Sequence, residues 1–135
     1  MKKLRALALR VLVAHWTIAI VHLFIAARIL PSPNSVSWLA IVLITLGHVC
    51  VFGALWKVSD RPAGWAALIF FLCAPGADVY EHFLHASANN VFAVTGSNWA
   101  VWFDISVIGL LWLEIVACSL AILLISRRQT MRAAT

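Results

Sequence analysis

Apolar residues fill four long stretches of the chain, and short polar connections separate them. The stretches are residues 11–30, 36–56, 65–86 and 99–126. Each is close to, or longer than, the roughly 20 residues that an α-helix needs to cross a bilayer. Short connections between successive helices favour antiparallel neighbours. The pattern therefore predicts an all-α integral membrane protein, a single domain with four transmembrane helices in an up-down-up-down bundle.

The composition excludes a water-soluble domain. The 135 residues are 64% hydrophobic and 11% charged, whereas about 25% of the residues in a soluble domain are charged. A soluble chain of this length could not bury so much apolar surface. We therefore expect the chain to lie in the lipid bilayer.

The positive charge predicts the orientation of the chain in the membrane. Nine of the ten basic residues flank apolar stretches: Lys2, Lys3, Arg5, Arg10, Lys57, Arg61, Arg127, Arg128 and Arg132. Because such residues are retained on the cytoplasmic side, both termini and the 57–64 connection are predicted to be cytoplasmic, in an inner (plasma) membrane. Topology thus explains the net charge of +5, and no nucleic-acid partner is predicted.

The first apolar stretch has a second interpretation, a cleaved signal peptide, because basic residues precede an apolar run. It carries His15 and His22, and it lacks a clear small-x-small cleavage site. These features favour a membrane helix.

The third stretch contains a polar stripe made of Asp78, Glu81, His82 and His85. On an α-helix these four side chains fall within an arc of roughly 100°. Just before them, Pro75–Gly76 is expected to break or kink the helix, because proline removes a backbone hydrogen bond and clashes with the preceding turn.

Depth along the helices divides the buried polar residues into two tiers. The outer tier contains His22, Asp78, Glu81, His82, His85 and Asp104. The deeper tier contains His15, His48 and Glu114. Because a charge in hydrocarbon costs at least a few kcal/mol, these side chains are expected to face the bundle interior or a cavity that opens outward.

The outer tier predicts a divalent metal site, since imidazole and carboxylate groups together suit zinc, iron or manganese. The first candidate ligands are Asp78, Glu81, His82 and Asp104, followed by His22 and His85. The E-H-x-x-H order resembles, in its chemistry only, the E-x-x-H spacing with which helix bundles hold carboxylate-bridged metal pairs.

Three alternatives stand beside the metal site. Histidine pairs across helices, such as His22 with His82 or His85, or His15 with His48, could ligate haem b, and small four-helix anchor subunits of quinone-linked enzymes are similar in outline. Intramembrane chains of Asp, Glu and His are typical of proton or ion relays. Buried polar side chains can also be purely structural, as hydrogen bonds between helices.

The sequence carries no motif of a soluble enzyme: it lacks a glycine-rich phosphate loop, G-x-S-x-G and H-E-x-x-H. We therefore expect no catalytic activity of the chain on its own. The leading interpretation is that the protein binds a cation or a redox metal, with a role in electron transport, in an outward-facing His/carboxylate cavity. The expected partners are lipid and either other membrane subunits or further copies of the chain.

Overall fold

The computed structural model describes residues 2–29, 38–85, 90–94, 96 and 98–132, and it describes side chains for all of these except residues 2, 38–40 and 127–132. The turn predicted at residues 31–35, and part of the 87–98 connection, lie outside this described part. Regular structure in the described part is helical throughout. It consists of α1 (Lys2–Ile29), α2 (Trp38–Lys57), α3 (Asp60–Val79), a π-helical turn (Tyr80–Leu84) and α4 (Ala100–Arg132). The prediction of an all-α chain is confirmed.

Three helical segments are long and apolar enough to cross a membrane: Lys3–Ile29, Asp60–Leu84 and Ala100–Ser126. The apolar segment of the second helix, Ile41–Lys57, is shorter. Helix α1 begins at Lys2 instead of near residue 11, because residues 2–10 contain good helix formers and neither proline nor glycine. These helices indicate a membrane protein.

Helix α3 continues through Pro75–Gly76, where the sequence predicts a break or kink. Proline has no N–H, so the carbonyl of Phe71, four residues earlier, loses its usual partner. The thiol of Cys118 in α4 donates a hydrogen bond to that carbonyl oxygen at 3.2 Å. The irregularity lies further along, in the π-helical turn, where the backbone N–H of His85 donates to the carbonyl of Tyr80 at 2.7 Å.

Two apolar clusters hold the helices together, towards opposite ends of α1 and α4. The larger cluster includes Leu12, Leu55, Phe71, Ala121 and Leu124. The smaller cluster consists of Ile25, Ala26, Val94, Phe103 and Val107. Along α1 and α4, His15, His22 and Glu114 lie between these two clusters, and Ser106 lies among the residues of the smaller one. The fold thus places its polar chemistry in a layer enclosed by apolar packing.

Helices α3 and α4 approach each other closely at Gly64. A Cβ atom at this position would lie 2.9 Å from the backbone oxygen of Ala121 and 2.8 Å from Cγ1 of Ile125. Only glycine lets the two backbones come so near. Close to the same end of the bundle, the guanidinium of Arg5 in α1 forms an ion pair with Asp60 at the start of α3.

Candidate functional site

Six buried polar side chains, which lie between the two apolar clusters or border the smaller one, form a polar layer: His15, His22, His48, His82, Ser106 and Glu114. They come from α1, α2, the π-helical turn and α4. The face of α4 that carries Phe103, Val107 and Leu110 also carries Glu114, since steps of three and four residues return to one side of a helix. This places a carboxyl group inside the bundle.

The deeper tier forms a hydrogen-bonded chain. Nδ1 of His15 lies 2.8 Å from Nε2 of His48, and Nε2 of His15 lies 3.3 Å from Oε1 of Glu114. Nδ1 of His48 donates to the carbonyl oxygen of Ile44 at 2.7 Å. The sequence places these three residues at one depth, and the structure brings them together.

The carbonyl of Ile44 fixes the proton positions along this chain. A carbonyl only accepts, so Nδ1 of His48 carries a proton, and Nε2 of a neutral His48 must accept one from Nδ1 of His15. Since a neutral imidazole carries one proton, Nε2 of a neutral His15 is then unprotonated. The contact with Glu114 therefore holds one proton, which either the carboxyl or the imidazole carries. The arrangement can take up or release a single proton at its Glu114 end.

The outer tier has a separate contact group. Nδ1 of His22 lies 2.9 Å from the hydroxyl oxygen of Ser106, and that hydroxyl donates to the carbonyl of Phe103 at 2.7 Å. Because the hydroxyl proton is used there, Nδ1 of His22 is the donor to the oxygen. The ring of His22 also meets the ring of His82 edge-on, with centroids 5.0 Å apart.

The polar stripe of the third segment is divided between the interior and the surface. His82 is buried, and Asp78 lines a cavity. Glu81 and His85 lie outside, each with about half of its side chain exposed, and they pair with each other at 3.5 Å. The wider π-helical turn changes the angular spacing of side chains from that of an α-helix, which accounts for the division.

Asp104 lies on α4, outside both of the cavities described below. Its Oδ1 atom is buried and has no hydrogen-bond partner among the described residues.

The larger cavity has a volume of about 440 Å³, within the range of small-molecule sites. Its lining residues are His15, Ala19, His22, Leu23, Leu43, Ile44, Phe70, Cys73, Ala74, Ala77, Asp78, Leu110 and Glu114. Glu114 has no exposed surface, and its Oε2 atom has no hydrogen-bond partner among the described residues. A buried oxygen without a partner is costly, so this wall of the cavity can accept a ligand.

A smaller cavity of about 230 Å³ lies between α1 and α2, and His48 is its one titratable lining residue. His15 lines the larger cavity, and the hydrogen bond between His15 and His48 therefore joins the two cavities.

His15 and His48 approach to 2.8 Å between Nδ1 and Nε2, which is a hydrogen-bond distance. No group of three or more His, Cys, Asp or Glu side chains in the described part of the chain could hold a metal ion. The predicted ligands Asp78, Glu81, His82, Asp104, His22 and His85 are not gathered into one such group.

Sequence reasoning missed three residues that support the site. Ser106 holds His22, and Cys118 replaces the hydrogen bond that Pro75 removes. Asn90 donates from Nδ2 to the carbonyl of His85 at 2.9 Å. For Ser106 and Cys118, the sequence signal is a hydroxyl or thiol group within four residues of an acid in the same apolar stretch. Such groups occur in many membrane helices without a role of this kind.

Comparisons with protein-family models, with curated proteins and with solved structures find no match for this chain. Its function must be inferred from its own residues.

Proposed function

We propose that this protein binds a cation in the larger cavity, and that the cation exchanges with a proton. The observation that carries the proposal is Glu114, whose side chain is completely buried while its Oε2 atom lacks a partner among the described residues. A buried carboxyl oxygen without a hydrogen-bond partner costs about 1–3 kcal/mol. The proton shared with His15 balances the charge of Glu114 at its other oxygen, and a cation in the cavity can take the place of that proton.

The proposal includes a topology of four membrane spans with both termini cytoplasmic, in an inner (plasma) membrane. The pairing of Arg5 with Asp60 supports it, because it brings the beginnings of α1 and α3 to one end. The close approach of Gly64 to Ala121 adds support, because it brings the end of α4 to the same place. Basic residues at this end agree with a cytoplasmic position.

Association with other membrane subunits, or with a second copy, is part of the same proposal. One face of α4 exposes Ile105, Ile108, Trp112 and Ile115. Their spacing of three and four residues is that of a helix-packing seam. Cross-linking of the protein in native membranes tests this part.

The test of cation binding is a thermal unfolding assay on the detergent-purified protein with Na⁺, K⁺, Mg²⁺, Zn²⁺ and tetraphenylphosphonium as probes. At least one probe should raise the melting temperature in a saturable way. The increase should be lost in Asp78→Asn and in Glu114→Gln, and it should persist in the control Glu81→Gln, which changes an exposed carboxyl group of the same segment. If no probe raises the melting temperature of the unmodified protein, the proposal is wrong.

A proton relay is the second candidate function, favoured by the chain from Glu114 through His15 to His48, which joins the two cavities. The expected result is a proton flux in proteoliposomes under an imposed membrane potential. His48→Phe should stop the flux, whereas His85→Phe, which changes an exposed ring, should not. A purely structural role for the polar layer predicts neither flux nor binding.

A further inference from the structure

The larger cavity combines apolar lining residues with two carboxyl groups, and this combination indicates which chemical class of cation it can bind. The inference rests on the proposed cation binding and concerns the chemistry of the ligand. Most of the lining side chains are aliphatic or aromatic, and Asp78 and Glu114 are the lining carboxyl groups. A ligand that fills the cavity must therefore satisfy an apolar wall and an acidic one.

The mouth of the cavity is bordered by apolar surface. Leu43 of α2 and Cys73 and Ala77 of α3 line the cavity and are themselves exposed. Of its described side chains, α2 buries only His48, Val51 and Leu55, all in its second half. The first half buries no described side chain, although the ring of Phe70 packs closely against Gly47 near its end. The exposed lining residues Leu43, Cys73 and Ala77 place the opening of the cavity between α2 and α3, on the surface that lipid covers. A ligand dissolved in the bilayer can enter there.

Charge excludes anions from this cavity. None of its lining residues is a lysine or an arginine, and an ionised carboxylate only accepts hydrogen bonds. A carboxylate or phosphate ligand would meet like charge, and the two histidines that line the cavity are already engaged, His15 by Glu114 and His22 by Ser106. A cation meets Asp78 and Glu114, and the aromatic ring of Phe70 lines the same cavity.

The cavity also disfavours a bare metal ion. A metal ion loses its water only in exchange for several ligand atoms, and the described residues contain no group of three or more suitable side chains. An organic cation carries carbon substituents around its charged atom, and these gain free energy against Leu23, Leu110 and Phe70. The apolar wall and the acidic wall are then satisfied by one molecule.

We propose that the larger cavity binds a lipophilic organic cation, of the amine or phosphonium class, which enters from the bilayer between α2 and α3 and places its charge beside Asp78 and Glu114. The proton that Glu114 shares with His15 leaves as the cation binds.

The experiment uses radiolabelled tetraphenylphosphonium and its counterpart tetraphenylborate, which has the same shape and the opposite charge. Equilibrium dialysis with the purified full-length protein in detergent should show saturable binding of the cation, near one per chain, and no saturable binding of the anion. Affinity for the cation should fall about tenfold or more in Glu114→Gln, because one charge pair in a low-dielectric site is worth at least that factor. Glu81→Gln should bind as the unmodified protein does.

Binding should weaken as the pH falls, because protons compete for the carboxyl groups. The titratable groups that surround the site are His15 and His22 from α1, His48 from α2, Cys73, Asp78 and His82 from the third segment, and Glu114 from α4. The pH dependence of cation binding should be reduced in Asp78→Asn. Because the side chain of Asp78 is partly exposed, this variant should fold, and it replaces Glu114→Gln in the experiment if Glu114→Gln does not fold.

Three results would overturn this inference. The first is equal binding of tetraphenylphosphonium and tetraphenylborate, and the second is equal loss of affinity in Glu81→Gln. The third is stabilisation by Zn²⁺ or Na⁺ but not by tetraphenylphosphonium. That result would support the proposed cation binding and would reject the inference that the cation is organic. Absence of stabilisation by every probe would reject both.

Discussion

The thiol of Cys118 donates a hydrogen bond to the carbonyl oxygen of Phe71 at 3.2 Å, across the interface between α4 and α3. Phe71 is the residue whose carbonyl loses its helical partner because Pro75 has no N–H. Helix α3 therefore passes the proline as a continuous α-helix, with its missing hydrogen bond supplied by a neighbouring helix. Neighbouring helices commonly satisfy such groups in membranes.

Replacement of Cys118 by alanine should lower the free energy of unfolding by about 1 kcal/mol, the typical net value of one hydrogen bond. Cys118→Ser, which keeps a donor, should lose less. The loss in Cys118→Ala should shrink when Pro75→Ala is also present, because the substituted alanine would provide a backbone N–H for the carbonyl of Phe71. Unfolding in detergent, followed by circular dichroism, measures all of these variants. Additive effects of the two changes would contradict the explanation.

Replacement of Gly64 by alanine should destabilise the packing of α3 on α4. The new Cβ would meet the backbone oxygen of Ala121 at 2.9 Å, which a side-chain rotation cannot relieve, and overpacking of this kind costs roughly 1–3 kcal/mol. Gly76→Ala is the matched control on the same helix, since a Cβ there meets nothing within 4 Å. Equal melting temperatures of the two variants would show that the close approach at Gly64 is absent.

The tautomers in the polar layer can be observed directly. Solid-state nuclear magnetic resonance of ¹⁵N-labelled histidine in lipid should find His48 with its proton on Nδ1, because Nδ1 faces the carbonyl of Ile44. Glu114→Gln should leave this tautomer unchanged, since the alteration is at the other end of the chain. A proton on Nε2 of neutral His48 would reverse the direction of the chain and remove the basis for proton exchange at Glu114.

The crossing of the membrane by α3, and its orientation, can be tested by labelling single cysteines in a variant without the native ones. A cysteine at Ser59, between α2 and α3, should react only from the cytoplasmic side. A cysteine at Asn98, before α4, should react only from the outside. Labelling of both positions from one side would show that the proposed four-span arrangement is wrong.

The sequence predicts the helices well, because length and apolarity alone distinguish a membrane segment. It also predicts that His15, His48 and Glu114 lie at one depth, since depth depends only on the rise per residue. All three lie in one hydrogen-bonded chain. Position along a helix is thus the property that sequence reasoning recovers.

The sequence predicts less well which side of its helix a residue occupies. Helical spacing groups Glu81 and His85 with Asp78 and His82, but a π-helical turn alters the angles there, and nothing in the local sequence marks a π turn. On α4, the sequence predicts Asp104 as the outer-tier residue, because it is an acid within an apolar stretch. The residue that contacts His22 is Ser106, which lies about 200° around the helix from Asp104. Rotation depends on packing partners, which only the folded chain defines.

The π-helical turn Tyr80–Leu84 has a consequence for comparison with related chains. Its hydrogen bond from His85 to Tyr80 spans one residue more than an α-helical bond does, which makes it equivalent to a one-residue insertion in an α-helix. A homologue that lacks that residue would rotate its following side chains by about 100°. A single gap in an alignment at this point would therefore mark a homologue in which different side chains after the turn face the bundle.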